Sequence, residues 1–142
     1  VAEAQRNAHL IQVGIRSMDI EEKQYLEDGK VYFAHQIMDN DYWMEESIRK
    51  MTDHVFITLD LDVFDSSIMP STGTPEPGGM DWYQVLQYLR MVFRRKHVVG
   101  FDIVELAPNP HNKAPDFLVA KLYYKMLAYK FENNHKVDSE HE

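Results

Sequence analysis

The chain has 142 residues, 44% of them hydrophobic, no cysteine and a formal net charge of −8 at pH 7. This is material for one domain with a sizeable core; it excludes a disulfide scaffold and a thiolate metal site, and it suits a cytoplasmic location. The acidic balance speaks against nucleic acid or an anionic membrane as partner, because nothing supplies the basic patch either requires, and no run is long enough to span a bilayer. A cationic small molecule suits the charge better, although most of these carboxylates read as solvated surface groups. No signal-peptide pattern opens the chain, which starts at Val1 instead of a methionine and so reads as processed or partial.

In chain order, apolar runs at Leu10 to Ile15, Val31 to Ala34, Val55 to Leu59 and Val98 to Val104 predict strands. They are rich in Val, Ile and Phe without clean alternation, the pattern of strands covered on both faces. Between them, Asp39 to Met51 predicts a helix with Trp43, Met44, Ile48 and Met51 on one side and Asp39 or Asn40 as its cap. Another helix starts at Asp81, where Gln84 completes a capping box and Met80 can staple against Val85; Trp82, Val85, Leu86 and Leu89 make its apolar face. A last helix runs from about Pro115 to Phe131, with Leu118, Leu122, Met126 and Tyr129 along one side. Residues 133–142 read as a polar tail. Buried strands alternating with helices predict an α/β layered sheet of parallel strands joined by right-handed crossovers.

In such sheets the site lies beyond the carboxyl ends of the strands, where Asp60, Asp62 and Glu105 fall. Alternation along a strand points Asp60 and Asp62 to the same face, and like charges held that close repel unless a cation or a shared proton lies between them. Paired carboxylates are hard oxygen ligands for Mg, Mn or Ca. Strand-end capping or solvation explains many such pairs equally well. The stretch from Pro70 to Gly79 holds three prolines and three glycines, so it is rigid at some points and open to close backbone approach at others. Thr72, Gly73 and Thr74 shape its rim, and a plain turn would also satisfy them. Asp65 fits an Asx-type loop pin better than a ligand. Asp19 fits a helix cap better than a contact to the far end of a substrate. The Met-rich and Tyr-rich helical stripes read as core or subunit contact.

The run TLDLDVFDSSIMPSTGTPEPGG (58–79) resembles a long signature of the ureohydrolases, the manganese enzymes that include agmatinase, arginase, guanidinobutyrase and formimidoylglutamase. VGFDIVELAPNP (99–110) resembles the family's next strand, and VGIRSMD (13–19) an earlier one. The resemblance extends to about Phe131, so residues 1–132 read as a partial arginase-like domain. It implies the C-terminal half of a three-layer α/β/α fold with a mostly parallel sheet. The GIRS and EPGG segments are more similar to the agmatinase branch.

Carried over by position, the resemblance implies that Asp60 bridges two manganese ions, that Asp62 binds one, and that Glu105 accepts the substrate's guanidinium. A small guanidino substrate, agmatine before others, would give urea and an amine, putrescine in that case. A homo-oligomer, trimer or hexamer, is implied for the intact enzyme. A delocalised cation does match a fork of carboxylate oxygens. The family's Gly-Gly-Asp-His and Asp-Ala-His-x-Asp segments, which supply its other ligands, are missing; Asn7-Ala8-His9 is a distant echo, and His9 is not assigned as a ligand. Ser66 stands where the family usually has proline. The isolated chain is therefore expected to be inactive.

Other readings compete. DLDVFDS also resembles the first motif of haloacid-dehalogenase-type Mg-dependent phosphohydrolases, which would make Asp60 a phosphoryl acceptor; the Gly-Thr expected after that pair is replaced by Val63-Phe64. A non-catalytic assembly module, pairing through an exposed sheet edge, is the third. Glu105 has a bland alternative in a structural ion pair.

Overall fold

The computed structural model describes residues 8–132, so the polar tail read at 133–142 lies outside the described residues. The apolar runs form strands β1 (Gln12–Ile15), β2 (Val31–Phe33), β3 (His54–Asp60) and β4 (His97–Val104). Helices α1 (Ala34–Ile37), α2 (Tyr42–Lys50), α3 (Trp82–Arg95) and α4 (Ala114–Glu132) separate or follow them, with 3-10 turns at Ile20–Tyr25 and Leu61–Val63.

The strands are parallel, as expected, but they form two separate pairs, β1 with β2 and β3 with β4, instead of one four-stranded sheet. β1 is short and kinked: Gly14 takes φ 81, and the register against β2 shifts between Val13 and Ile15. Its end nevertheless meets the turn after β3, where a Cβ on Gly14 would stand 2.6 Å from Val63 Cγ2. Only glycine allows both that φ and that approach.

The expectation that β3 is covered on both faces is corrected. Along β3 exposure alternates, with Val55, Ile57 and Leu59 turned inward and Phe56 60% exposed. Parallel strands covered on one side only should alternate in this way. The inner face packs under α3 and α4, where Phe101 meets Phe93 edge-on at 5.9 Å and Tyr123 at 5.6 Å. On the bare face Thr58 donates to Asp102, and the Phe56 ring lies over Gly100.

α3 starts as the sequence dictates. Asp81 accepts the Gln84 amide at 2.8 Å and Gln84 returns the bond to the Asp81 amide at 3.1 Å, while Met80 and Val85 are both buried in the core. α2 starts three residues later than expected, at Tyr42. The N-cap position is Asp41, whose side chain makes no capping bond; Asn40 instead accepts the Tyr42 amide at 3.0 Å. Asp19 does cap, in a box with Glu22 that opens the Ile20–Tyr25 turn. The core runs directly beneath the acidic loop: Leu61, Phe64, Met69 and Met80 are all buried. Apolar side chains on that loop thus anchor it, and the acids between them are left at its surface.

Candidate active site

Asp60 is the last residue of β3, and its carboxylate caps the next turn by accepting the Asp62 amide at 3.1 Å. Asp62 therefore sits in a 3-10 turn and not on the strand, which corrects the alternation argument: the turn, and not the pleat, brings the two acids together. Asp62 is half-buried, and its only donor to the carboxylate among the described residues is Thr74 Oγ1 at a long 3.4 Å. Burial first, and then the charge of Asp60, pushes its carboxyl above the usual range, with Arg16 opposing. A carboxylate so placed is relieved by a cation or a proton.

Asp65 is supplied with everything Asp62 lacks. It accepts amides from Ser67 at 3.0 Å, Gly78 at 2.7 Å and Gly79 at 3.3 Å. Hydrogen bonds from Ser67, side chain and then backbone, followed by those of Gly78 and Gly79, hold its carboxyl down at about 2. The loop closes on itself, with the Met80 amide on Val63 O at 2.9 Å and the Asp65 amide on Met80 O at 3.0 Å. Gly79 is required there, since a Cβ would lie 2.5 Å from Asp65 N and from Phe64 C.

Glu105 follows β4 directly and is the one non-glycine residue with positive φ, 69°, among the described residues. That left-handed backbone costs about 1–2 kcal/mol for a residue with a Cβ. Its Oε2 stands 3.7 Å from where a Cβ of Gly73 would lie, and the Ala107 amide bonds Ser71 O at 2.9 Å, so the rim at Ser71 to Thr74 meets the end of β4. Thr72 is buried there with no hydrogen-bond partner for its hydroxyl among the described residues. The bland alternative for Glu105 finds no support, as it has no ion-pair partner among the described residues. A strained backbone thus carries the Glu105 carboxylate beside the Gly73 rim.

One residue of the VGIRSMD segment has a role that the motif reading did not assign. The Arg16 guanidinium donates to the carbonyls of Asp62 and, at 3.2 Å, of Glu76, and makes longer contacts of 3.4 Å to Gly14 O and Val63 O. Apart from Gly14 O, these partners are backbone carbonyls 46 to 60 positions away, which leave no mark on the sequence.

Among the described residues no group of three or more His, Cys, Asp or Glu is arranged to hold a metal ion. Asp60 and Asp62 supply an acidic pair and no more, too few donors for a manganese centre on this chain alone. His9 is exposed ahead of β1.

The sequence pattern described as Arginase family matches residues 1–128. The chain belongs to the arginase family. It is 39% identical over 127 residues to the N(1)-aminopropylagmatine ureohydrolase of Synechocystis sp., covering 87% of this chain and 42% of that protein. To the enzyme of the same name from Thermus thermophilus it is 42% identical over 123 residues, covering 85% of this chain and 42% of the relative. The crystal structure of the agmatine ureohydrolase of Thermoplasma volcanium superposes with a TM-score of 0.74 at 32% identity, over 89% of this chain and 44% of that one. This arginase-family chain thus has the α/β fold of those neighbours, three-layered with parallel strands, and spans about 42% of the length of the curated relatives it matches.

Proposed function

We propose that this chain is the C-terminal portion of a manganese-dependent ureohydrolase that converts a guanidino compound, agmatine before others, to urea and an amine. The observation that carries the reading is the placement of three acids at the ends of two adjacent parallel strands: Asp60 closing β3 with Asp62 in the turn that follows, and a strained Glu105 directly after β4. In this reading Asp60 and Asp62 are two of the ligands to a pair of manganese ions, and the rest of the donor set comes from the part of the relatives that this chain does not span. Glu105 accepts the substrate's guanidinium, oriented by the Gly73 rim. Putrescine is the amine released from agmatine. The intact enzyme is a cytoplasmic homo-oligomer, trimer or hexamer by the same resemblance.

A second substrate has a specific observation behind it. Two of the relatives quoted above bear the name N(1)-aminopropylagmatine ureohydrolase, which favours a guanidino compound with a longer polyamine tail. The deciding experiment measures urea release by the full-length protein with manganese, comparing kcat/KM for agmatine and N(1)-aminopropylagmatine. Release from either supports the reading and ranks the substrates. No urea from either, or hydrolysis of a phosphomonoester instead, rejects it. The isolated chain is expected to release none.

A further inference from the structure

Arg16 is 10% exposed along its side chain, and one planar guanidinium there touches three separate segments: the end of β1 through Gly14 O, the turn after Asp60 through Asp62 O and Val63 O, and the Pro/Gly loop through Glu76 O. Its Nε is buried without a hydrogen-bond partner among the described residues, 3.9 Å from Glu76 Oε2, and that carboxylate accepts from Ser17 Oγ at 2.7 Å. A fork with five donors can serve carbonyls in several directions at once; a lysine ammonium has three donors at one point.

We infer that Arg16 is a positioning residue, fixing the Asp60–Asp62 turn against the Glu76 side of the Pro/Gly loop so that the carboxylate pair keeps its geometry. This rests on the reading of Asp60 and Asp62 as ligands. Among the described residues the guanidinium makes no hydrogen bond to either carboxylate; it holds the carbonyls of Asp62 and Val63, in the turn that the Asp60 carboxylate caps. Loss of a group that orients metal ligands from behind typically costs about 10–100-fold in metal affinity.

The test uses Arg16→Lys and Arg16→Gln in the full-length protein. Manganese affinity, followed by the paramagnetic signal of the free ion, is expected to fall by about tenfold or more. kcat should fall with it, while KM for the guanidino substrate moves little, since Glu105 is untouched. In metal-free protein, hydrogen exchange at the Asp62 and Phe64 amides should quicken by about tenfold while α3 amides keep their rates. A merely structural role would speed exchange throughout and leave the manganese affinity of the folded variant at the wild-type value, which overturns the inference. If wild type itself neither binds manganese nor releases urea, the functional reading fails by itself, and exchange still decides: unchanged rates at Asp62 and Phe64 refute the positioning role, and selectively faster rates uphold it. Should the glutamine variant not fold, the lysine variant carries the comparison.

Discussion

Asp62 and Asp65 are the same residue type three positions apart, on one loop over one patch of core, and the chain surrounds them in opposite ways. Asp65 collects three backbone amides and is held as an anion at about 2. Asp62 has one long bond from Thr74 and a second acid beside it, and its carboxyl is pushed up. A carboxylate whose acceptor sites are filled by the fold is a structural pin, and one left short of donors beside another acid is open to a cation. Motif spacing cannot separate the two roles; counting donors does.

The pinned side breaks most easily at Gly79. Gly79→Ala places a Cβ against the Phe64–Asp65 backbone, and a loss of about 3 kcal/mol is expected in denaturant unfolding. Glu105→Gly works in the other direction: relief of the left-handed backbone should raise stability by about 1 kcal/mol, while urea release by the full-length protein is lost. Stability unchanged by that glycine would mean that position 105 is not strained.

The pH response sharpens the contrast further. Asp65 has a folded pKa below its ordinary 3.8, so its stabilisation is complete above 3.8 and disappears as pH falls towards about 2. Thermal melts of wild type and Asp65→Asn should therefore differ most at pH 5 and converge near pH 2. The smallest effect is expected from Asp62→Asn. Because the Asp62 carboxyl is raised from 3.8, its ionised form weighs on the metal-free fold as pH rises through the raised value, and it is neutral below 3.8. The asparagine variant should melt slightly higher at pH 7 and like wild type at pH 3. A lower melting temperature at pH 7 would erase the distinction between the two aspartates.

The strands, α3 and α4 were legible because their signals are local: an apolar run closed by Asp60, a capping box at Asp81 and Gln84, and Leu122 and Met126 a turn apart. α1 and the Ile20–Tyr25 turn are too short to impose a period, and the start of α2 is blurred by the run Asp39-Asn40-Asp41, any of which can cap. One-sided burial of β3 was hidden because Phe56 looks like a core residue in sequence, although it covers Gly100 on the bare face. At the site, the acids were visible by type and spacing. Arg16 was not, since its partners are backbone carbonyls, and every residue offers one. The left-handed φ of Glu105 was equally silent, as glutamate carries no preference for it.

Gly73 and Glu105 are joined in a way that bears on how this region tolerates substitution. Alanine at position 73 would meet the Glu105 carboxylate at ordinary van der Waals distance, 3.7 Å, and any longer side chain would press on it. Glu105 is exposed, so its carboxylate can swing aside about its own side-chain bonds while its backbone stays in the left-handed region. The two positions, 32 apart in sequence, are therefore coupled through the place of the acid and not through the fold: a larger residue at 73 is accommodated by displacing the carboxylate, and with that displacement the rim loses its acid.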